Sequence, residues 1–490
     1  MKNKILIVVH SNTFFIELFR LAKHLRFSRE YEPIILFAYQ YPTYLDDASR
    51  CSQLQILCLD AHDKRIAAES HNQAHGKPLS IKEKSRNLPQ RLRNFLKRIC
   101  IRLIDFYRQL SLIQLLAEYK SFQDAYTTVR NVLAEQNPSL LVLGGDMVGY
   151  NTSVYVQVAH QRYMPVVILP STMSNGLEQA EAYFHDPNYS FGKVLNYLAA
   201  KFYPKWVKMH RGRKLLRVSG ARVLVMESFG LAPPLPWIFN SGFADAIMVE
   251  SERMKQYYLD CGIPEYRLRL IGSLADDVMA DILRQKKQKA ADLCRELGLS
   301  DNKPILLSAL PPDFLYMAGG RPESDFRIYP ELVSFWVKAI AKVGNYNVVV
   351  CLHPSVRFED FQYIEDWGVR IAKRDTAELV PLSDLYVASV SSTIRWAIAC
   401  GIPVINYDVY RYHYTDYLDV EGVIAVEEKA DFEFMLNKLT KDTTFYKQKK
   451  LEQGYSASQW GIFDGKVGER LLELLASIIA SYGKENEQHD

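Results

Sequence analysis

Three consecutive hydroxyl side chains lie between a predicted strand and a predicted helix. They are Ser391, Ser392 and Thr393. The apolar strand at residues 385–389 precedes them, and the helix runs to about Cys400, before Gly401 and a strand at residues 403–405. These elements form one βαβ unit, and the unpaired N–H groups at a helix N-terminus favour a phosphate. The pattern predicts a nucleotide monophosphate or diphosphate pocket at the carboxyl ends of a parallel sheet, although serine and threonine also serve as ordinary helix caps.

Two further polar residues end predicted strands and could act as a general base. His10 follows the strand at residues 4–9, and Asp146 follows the strand at residues 139–143 in a Gly-Gly-Asp turn. A histidine titrates near neutral pH, and a carboxylate is the other common base for a hydroxyl group. The glycines allow a ligand to approach the backbone closely. The alternatives are a polar residue that merely ends a strand and an ordinary turn aspartate.

The elements that must position these residues form two halves of alternating strands and helices. In the first half, the predicted strands span residues 4–9, 32–38, 139–143, 165–169, 222–226 and 246–250. In the second half, predicted strands include residues near 305, 348, 385 and 404. The predicted fold class is therefore α/β, with two Rossmann-like domains that face a central cleft. Ligands of such sheets bind outside the carboxyl ends of the strands.

The 490 residues are enough for two large domains. We predict an amino-terminal domain over residues 1–275, which contains a basic helical insertion at about residues 61–120. A linker helix at residues 276–303 joins it to a carboxyl-terminal domain over residues 304–464. Residues 465–490 form a final helix and tail, because an amphipathic pattern follows an Asp-Gly turn.

Composition and charge favour a protein of a reducing compartment. The seven cysteines are scattered and have no metal-ligand spacing, so neither a disulfide framework nor a zinc site is expected. The net charge of +4 is too small to imply nucleic acid. No run of 18 apolar residues predicts a transmembrane helix, and the short apolar stretch near the start is not a signal peptide. We expect a cytoplasmic protein, with the membrane surface as a further option.

The membrane option comes from basic segments with apolar neighbours. Residues 81–108 contain nine Lys or Arg and two acids, and residues 201–217 contain seven basic residues and no acid. Apolar residues recur at helical spacing within the first segment: Leu92, Phe95, Leu96, Ile99, Leu103 and Ile104. Trp237 and Phe239 are predicted to be exposed in a Pro-rich loop nearby. A basic amphipathic helix and an aromatic loop together predict peripheral binding to anionic lipid, and a solvated face is the alternative.

The order of motifs resembles the GT-B glycosyltransferase superfamily and the hydrolysing UDP-N-acetylglucosamine 2-epimerase. Residues 138–171 (PSLLVLGGDMVGYNTSVYVQVAHQRYMPVVILPS) follow the epimerase-like order of strand, Gly-Asp turn, helix and strand. Residues 244–273 look like the passage that closes an amino-terminal domain of this kind. His353-Pro354 with the downstream Ser-Ser-Thr motif is similar to bacterial sialyltransferases and Kdo transferases that make surface glycans.

This resemblance implies a GT-B fold and a nucleotide-sugar donor, most simply CMP- or UDP-linked, with no other cofactor. His353, Pro354 and the hydroxyl turn would hold the donor, and Arg395 would add charge unless it is an exposed helix arginine. Asp146 or His10 would be the base, since several GT-B enzymes place one at the end of the first strand. The acceptor would be a lipid-linked or surface glycan. No Asp-x-Asp triplet occurs, so the leaving phosphate is expected to be stabilised without a metal.

Two rival functions remain. The first is a 2-epimerase, but this chain departs from that family, because Ser171-Thr172 stands where the epimerase has an acidic residue. Its acidic DSGG-type turn is also replaced, here by ASVSSTIRW. Since these carboxylates would remove a proton from a sugar carbon, we place the transferase ahead of the epimerase. The second rival is a nucleotide-sugar-binding scaffold that has no catalytic activity.

Overall fold

The computed structural model describes residues 2–38, 54–59, 111–169, 176–315, 323–353 and 356–487. Most of the predicted insertion at 61–120 lies outside the described residues, as do Pro354 and Ser171-Thr172. Residues 111–120 are described, and they begin a long helix.

The first domain is built on a parallel sheet of seven strands. They are β1 (Asn3–Val9), β2 (Tyr31–Phe37), β3 (Gln55–Cys58), β4 (Leu140–Leu143), β5 (Val166–Ile168), β8 (Ala246–Val249) and β9 (Leu268–Leu270). Their order across the sheet is β3-β2-β1-β4-β5-β8-β9. The central strands are apolar runs without alternation because helices cover both faces of the sheet. An antiparallel hairpin of β6 (Val207–His210) and β7 (Arg213–Leu216) stands apart from this sheet.

Helices connect these strands and cover the sheet. They are α1 (Asn12–Ser28), α2 (Ser111–Gln136), α3 (Thr152–His160), α4 (Gly176–Tyr183), α5 (Val194–Phe202), α6 (Gly220–Ser228) and α7 (Glu252–Asp260). Helix α1 buries Phe15, Leu18 and Leu25 against the sheet at a spacing of three and seven residues. The linker contains two helices, α8 (Leu274–Arg284) and α9 (Lys286–Glu296), where we predicted one.

The second domain repeats the same plan with six parallel strands. They are β10 (Ile305–Ala309), β11 (Asn347–Cys351), β12 (Arg370–Ile371), β13 (Leu385–Ala388), β14 (Val404–Tyr407) and β15 (Val423–Val426), in the order β12-β11-β10-β13-β14-β15. Its helices are α10 (Tyr329–Ala341), α11 (Thr376–Leu379), α12 (Ile394–Ala399), α13 (Lys429–Lys441) and α14 (Thr443–Trp460). Both sheets therefore have the 3-2-1-4-5 arrangement of Rossmann-like folds, which confirms the predicted fold class.

The last helix, α15 (Val467–Glu487), returns to the first domain. Val467, Leu471 and Leu475 are fully buried in the same core cluster as Ile5 and Phe15. Tyr482 donates a hydrogen bond to the Asp245 carboxylate, which lies at the start of β8. The chain therefore crosses between the domains twice, once through α8 and α9 and once between α14 and α15.

Two further details of the sequence prediction are wrong. Residues 222–226 lie in helix α6, not in a strand, because the Ser219 side chain caps that helix by accepting from the Arg222 N–H at 3.3 Å. Trp237 and Phe239 are buried, at 8% and 6% exposure, so they do not form an exposed aromatic loop. The Trp237 indole donates a 3.0 Å hydrogen bond to the Trp206 carbonyl, and Phe239 stacks near Phe14. Across the described residues, no helix is long and apolar enough to span a membrane.

Candidate active site between the two domains

The candidate residues gather where the strand order of each sheet reverses. In the first sheet β1 and β4 are neighbours at this point, and His10 and Asp146 follow their carboxyl ends. In the second sheet the neighbours are β10 and β13, and the hydroxyl turn follows β13. A crevice forms at such a point because the connections on either side run to opposite faces. The topology therefore brings the sequence-predicted residues to the two ligand-binding edges that the fold provides.

The hydroxyl turn is a tight, internally bonded loop. Val390 has a φ of 47°, which is strained for a β-branched residue, and its N–H donates to the Asn406 side chain at 2.9 Å. The Ser391 and Thr393 hydroxyls share a 2.7 Å hydrogen bond, and Thr393 shares a second, of 2.5 Å, with the Tyr386 hydroxyl. The side chains of this turn are half-buried. Its shape is therefore fixed by neighbouring protein groups before any ligand arrives.

Ser392 is the least constrained of the three hydroxyl residues. It is half-buried and forms no hydrogen bond with another described residue, whereas the Ser391 hydroxyl accepts from the Thr393 N–H at 3.3 Å. Helix α12 begins directly afterwards and has only six residues. The arrangement offers the Ser392 hydroxyl and turn backbone to an anion, while Ser391 and Thr393 hold the turn together.

His353 lies just beyond β11, two strands away from the hydroxyl turn, with β10 between them. Its carbonyl accepts a 3.0 Å hydrogen bond from the Val356 N–H, which forms a turn. Burial lowers the pKa of the imidazole from 6.5 to about 4, so the ring is neutral at neutral pH. A neutral imidazole can hydrogen-bond a ribose or phosphate oxygen but does not bring a positive charge to it.

Arg395 forms an ion pair with Glu250 across the two domains. Arg395 belongs to α12, and Glu250 follows β8 of the first sheet. Arg395 is 2% exposed and Glu250 is 4% exposed, so the alternative of an exposed helix arginine is wrong. The charge of Glu250 raises the pKa of Arg395 against the opposing effect of burial. Its positive charge is therefore neutralised in part before a donor binds, and its predicted contact with the donor stays a prediction.

A second interdomain ion pair lies beside the first. Arg20 of α1 pairs with Glu17 on the same helix and with Asp375, which precedes α11 of the second domain. Burial raises the pKa of Glu17, and the Arg20 and Arg395 charges oppose that rise. Sequence reasoning did not identify this cluster, because Asp375 is more than 300 residues away from Glu17 and Arg20 along the chain.

His10 is buried at the end of β1, with 3% exposure. Its ring packs edge-on against Tyr155 at 5.4 Å between centroids, and its Nε2 has no hydrogen-bond partner among the described residues. Burial lowers the pKa of this imidazole to about 3. The His10 ring is thus neutral at neutral pH, and it is a weak base. A small pocket next to it is also lined by Thr128 and Asn151.

Asp146 is held by the loop that follows Phe239. Its N–H donates to the Asn240 side chain at 2.7 Å, and its Oδ1 accepts from the Thr152 hydroxyl at 2.5 Å. The Oδ2 atom has no hydrogen-bond partner among the described residues and lies where a Cβ on Gly242 would stand, 1.5 Å from it. Burial raises the pKa of this carboxyl above its ordinary 3.8. The group is therefore a stronger base than a solvated aspartate, and it also fixes the loop at residues 240–242.

Several aromatic residues near the hydroxyl turn were not identified from the sequence. Tyr417 is buried and donates a 3.3 Å hydrogen bond to the Ser391 carbonyl. Tyr386 bonds Thr393, and Tyr410 donates to the Pro312 carbonyl at the end of β10. The signal was present as a tyrosine-rich run at residues 407–417. Within this run, Tyr417 supports the turn through its hydrogen bond to the Ser391 carbonyl.

Comparison with solved structures places the fold in a known class. The chain is similar to UDP-GlcNAc 2-epimerase from Neisseria meningitidis bound to UDP-GlcNAc, with a TM-score of 0.50, 12% identity and coverage of 97% of this chain and 100% of that chain. It is also similar to the S. aureus MnaA–UDP structure, with a TM-score of 0.50, 13% identity and coverage of 98% of this chain and 97% of that chain. A third similar structure is the wall teichoic acid polymerase TagF, with a TM-score of 0.52, 10% identity and coverage of 99% of this chain and 90% of that chain.

The chain therefore has the GT-B fold, which consists of two Rossmann-like domains. At this identity the likeness concerns the fold alone. No protein-family model matches the sequence, and no curated protein matches it.

Proposed function

We propose that the chain is a GT-B glycosyltransferase that moves a sugar from a nucleotide-sugar donor to a lipid-linked or surface glycan. The pathway would be a bacterial-type one that makes capsule, O-antigen or lipopolysaccharide, at the inner face of the cytoplasmic membrane. The observation that carries the proposal is the rigid hydroxyl turn after β13, at the reversal point of one sheet, with Asp146 and His10 at the reversal point of the other.

In this proposal the carboxyl-terminal domain holds the donor. The Ser392 hydroxyl and the turn backbone donate to the phosphate, and the neutral His353 bonds ribose or phosphate. Because a charge-assisted hydrogen bond is worth roughly 1.5–3 kcal/mol, donated bonds of this kind stabilise the departing phosphate without a metal. Arg395 acts through its ion pair with Glu250, which holds α12 against the first domain.

The amino-terminal domain binds the acceptor and provides the base. Asp146 is the better candidate, because burial raises its pKa whereas burial lowers that of His10. The base removes the proton of the acceptor hydroxyl as the hydroxyl oxygen bonds to the anomeric carbon of the sugar and the bond from that carbon to the phosphate oxygen breaks. The proton then resides on the carboxylate and the negative charge on the leaving nucleotide.

A donor-binding screen tests the proposal. CMP-, UDP-, GDP- and dTDP-sugars are titrated into the protein by calorimetry, and the best binder is titrated into the Ser391→Ala, Ser392→Ala double variant. We expect at least a tenfold loss of affinity, since one lost charge-assisted bond is worth roughly 1.5–3 kcal/mol. Ser477→Ala with Ser481→Ala on α15 is the matched control, because it makes the same chemical change far from the turn. Equal affinity of the double variant and the wild type would remove the phosphate assignment.

The 2-epimerase is the second candidate, favoured by the likeness to the Neisseria meningitidis enzyme, which its structure shows bound to UDP-GlcNAc. An epimerase needs no acceptor, so incubation with the donor alone separates the two functions. Formation of an epimerised sugar without acceptor would replace the transferase. Tight donor binding with no turnover over a panel of acceptors would instead indicate a scaffold without catalytic activity.

A further inference from the structure

An unusually basic segment of the first domain also exposes apolar side chains. Residues 187–226 contain nine Lys or Arg and no Asp or Glu. Four large apolar residues in this segment are more than half exposed: Val194 (67%), Tyr197 (57%), Phe202 (63%) and Met209 (58%). Single exposed apolar residues are ordinary on a protein surface, but several within one segment indicate a contact surface.

Three of these residues share one face of helix α5. Val194, Tyr197 and Phe202 are spaced by three and five residues, and Lys201 lies between them on the same side of the helix. The opposite face carries the buried Asn196. The helix therefore presents an apolar face with a basic residue to solvent.

Helix α5 is fixed in this orientation by its buried side. The Asn196 amide donates to the carbonyls of Asn188 and Ser190 at 2.8 and 2.6 Å, and its oxygen accepts from the Gly220 N–H at 2.7 Å. A Cβ on Gly220 would lie 2.3 Å from the Leu195 backbone, which shows how closely α5 and α6 pack. The exposed face is therefore a stable property of the fold and not a loose helix that could turn inward.

The β6–β7 hairpin also exposes an apolar side chain beside a basic one. Met209 on β6 is paired with Lys214 on β7, so an apolar and a basic side chain stand next to each other on one face. Among the nine basic residues, three form ion pairs with described acids: Lys205, Arg211 and Arg222. The other six form no ion pair with an acid in the described part of the chain, and they include Lys201 and Lys214. This segment of the chain therefore carries net positive charge.

We propose that this surface, formed by α5 and the β6–β7 hairpin, docks the protein on an anionic lipid bilayer. Val194, Phe202 and Met209 enter the boundary between headgroups and acyl chains, while Lys201 and Lys214 contact the headgroups. A soluble anionic glycan would match the charge but would leave the apolar side chains in water. The combination of both therefore favours lipid over a polyanion.

The position of the surface connects it to the cleft. Arg211 at the tip of the same hairpin forms two hydrogen bonds, of 2.8 and 2.6 Å, with the Glu323 carboxylate of the second domain. Glu323 lies on the chain between β10 and α10, beyond the carboxyl end of β10. A bilayer against the hairpin would therefore lie at the edge of the cleft. This link to a lipid-linked acceptor rests on the proposed function, but the docking itself does not.

Sedimentation with vesicles tests the docking. The full chain is mixed with vesicles of zwitterionic lipid alone or with added phosphatidylserine, at increasing salt. We expect binding only with phosphatidylserine, and release as salt rises, because the attraction is screened over about 8–10 Å at physiological salt. Lys201→Glu with Lys214→Glu should weaken the partition by at least about 25-fold, since each basic residue near the surface is worth about fivefold. Val194→Ser with Phe202→Ser should also weaken it.

Matched variants make the result specific. Leu451→Ser with Tyr455→Ser exchanges exposed apolar residues of α14, and Lys287→Glu with Lys289→Glu reverses basic residues of α9. Both controls should bind vesicles as the wild type does. Equal binding by the α5 and hairpin variants would overturn the proposal. A loss caused by the charge reversals but not by the serine variants would also overturn it and would point to a polyanion.

Two further measurements distinguish docking through α5 from docking through the predicted insertion and from the proposed donor binding. Reversal of Arg91, Arg93, Lys97 and Arg98 to Glu tests the predicted insertion, whose residues lie outside the described ones. If that change alone abolished vesicle binding, the insertion and not α5 would be the docking element. Donor affinity, measured by calorimetry on the α5 variants, should equal that of the wild type. Failure of the donor screen would leave the vesicle result intact, so the two proposals fail independently.

Discussion

Asp276→Asn is expected to stabilise the protein at alkaline pH. Asp276 lies in the first turn of α8, at the crossing between the domains, and is 2% exposed. Its Oδ2 accepts from the Ser273 N–H and from the Ile462 N–H, each at 3.1 Å. Burial raises the pKa of this carboxyl from 3.8 to about 7, although both N–H groups and the Arg395 charge oppose the rise. An asparagine carbonyl could accept the same two bonds without a charge.

The sign and size of this pH effect follow from the linkage between proton binding and folding. In the unfolded chain this carboxyl loses its proton near its ordinary pKa, but in the folded protein it keeps the proton until about pH 7. The folded state therefore binds more protons between these values, so this group lowers stability as pH rises through that window. The pKa difference corresponds to about 4 kcal/mol above the window. About half of this loss of stability is already present near pH 5.5. The free energy of unfolding of Asp276→Asn, relative to wild type, should therefore be about 2 kcal/mol higher at pH 8.5 than at pH 5.5.

Urea unfolding at the two pH values measures this effect. The observable is the difference between the transition midpoints of Asp276→Asn and wild type, followed by far-UV circular dichroism. Asp277→Asn is the matched control, because Asp277 is half-buried and accepts from the Val467 and Gly468 N–H groups. That variant should show no gain at alkaline pH. An equal midpoint difference for Asp276→Asn at both pH values would refute the reasoning, as would a loss of stability at pH 8.5.

Three further outcomes are expected. Asp146→Asn should lower turnover by on the order of 100- to 10,000-fold with little change in donor affinity, since a base acts in the transition state; a fully active Asp146→Asn variant together with an inactive His10→Ala variant would make His10 the base. Activity should survive EDTA, because the turn backbone and hydroxyls are proposed to stabilise the phosphate, and abolition with rescue by magnesium or manganese would contradict this. Glu323→Ala should leave stability nearly unchanged, because its exposed pair with Arg211 contributes roughly 0–1 kcal/mol; a double-mutant cycle with Arg211→Ala that gave several kcal/mol would contradict that small coupling.

The fold could be predicted because buried parallel strands leave a simple signal. Short apolar runs such as residues 4–9 and 348–351 are bounded by polar turns, and they alternate with helical patterns. The same signal misled at residues 222–226, since a short buried helix is apolar for the same reason as a buried strand. The β6–β7 hairpin was missed because basic residues interrupt both of its four-residue strands, and its Arg211-Gly212 turn, with φ of 46° and 75°, is a weak signal.

The candidate residues could be identified only within each domain. The hydroxyl turn, His353, His10 and Asp146 became candidates because each ends a strand, and in parallel sheets that position alone brings residues to a common edge. Their protonation could not be predicted, because it depends on burial. Burial lowers the pKa of His10 and raises the pKa of Asp146, because it disfavours the charged form of each group. The charged form is a cation for His10 and an anion for Asp146.

What joins the domains could not be inferred from the sequence at all. Glu250 and Arg395 are 145 residues apart, and neither has an unusual local sequence. Their pairing depends on the relative orientation of two sheets, which no local pattern encodes. The consequence for function is direct, because a buried arginine that already pairs with a carboxylate is not available to a phosphate without breaking that pair. Removing one partner of a buried pair costs roughly 3–5 kcal/mol, which is comparable to or larger than the roughly 1.5–3 kcal/mol that a charge-assisted bond returns. In the proposed function we therefore expect Arg395 to act by positioning α12 and the turn before it, and we expect the turn itself to contact the phosphate.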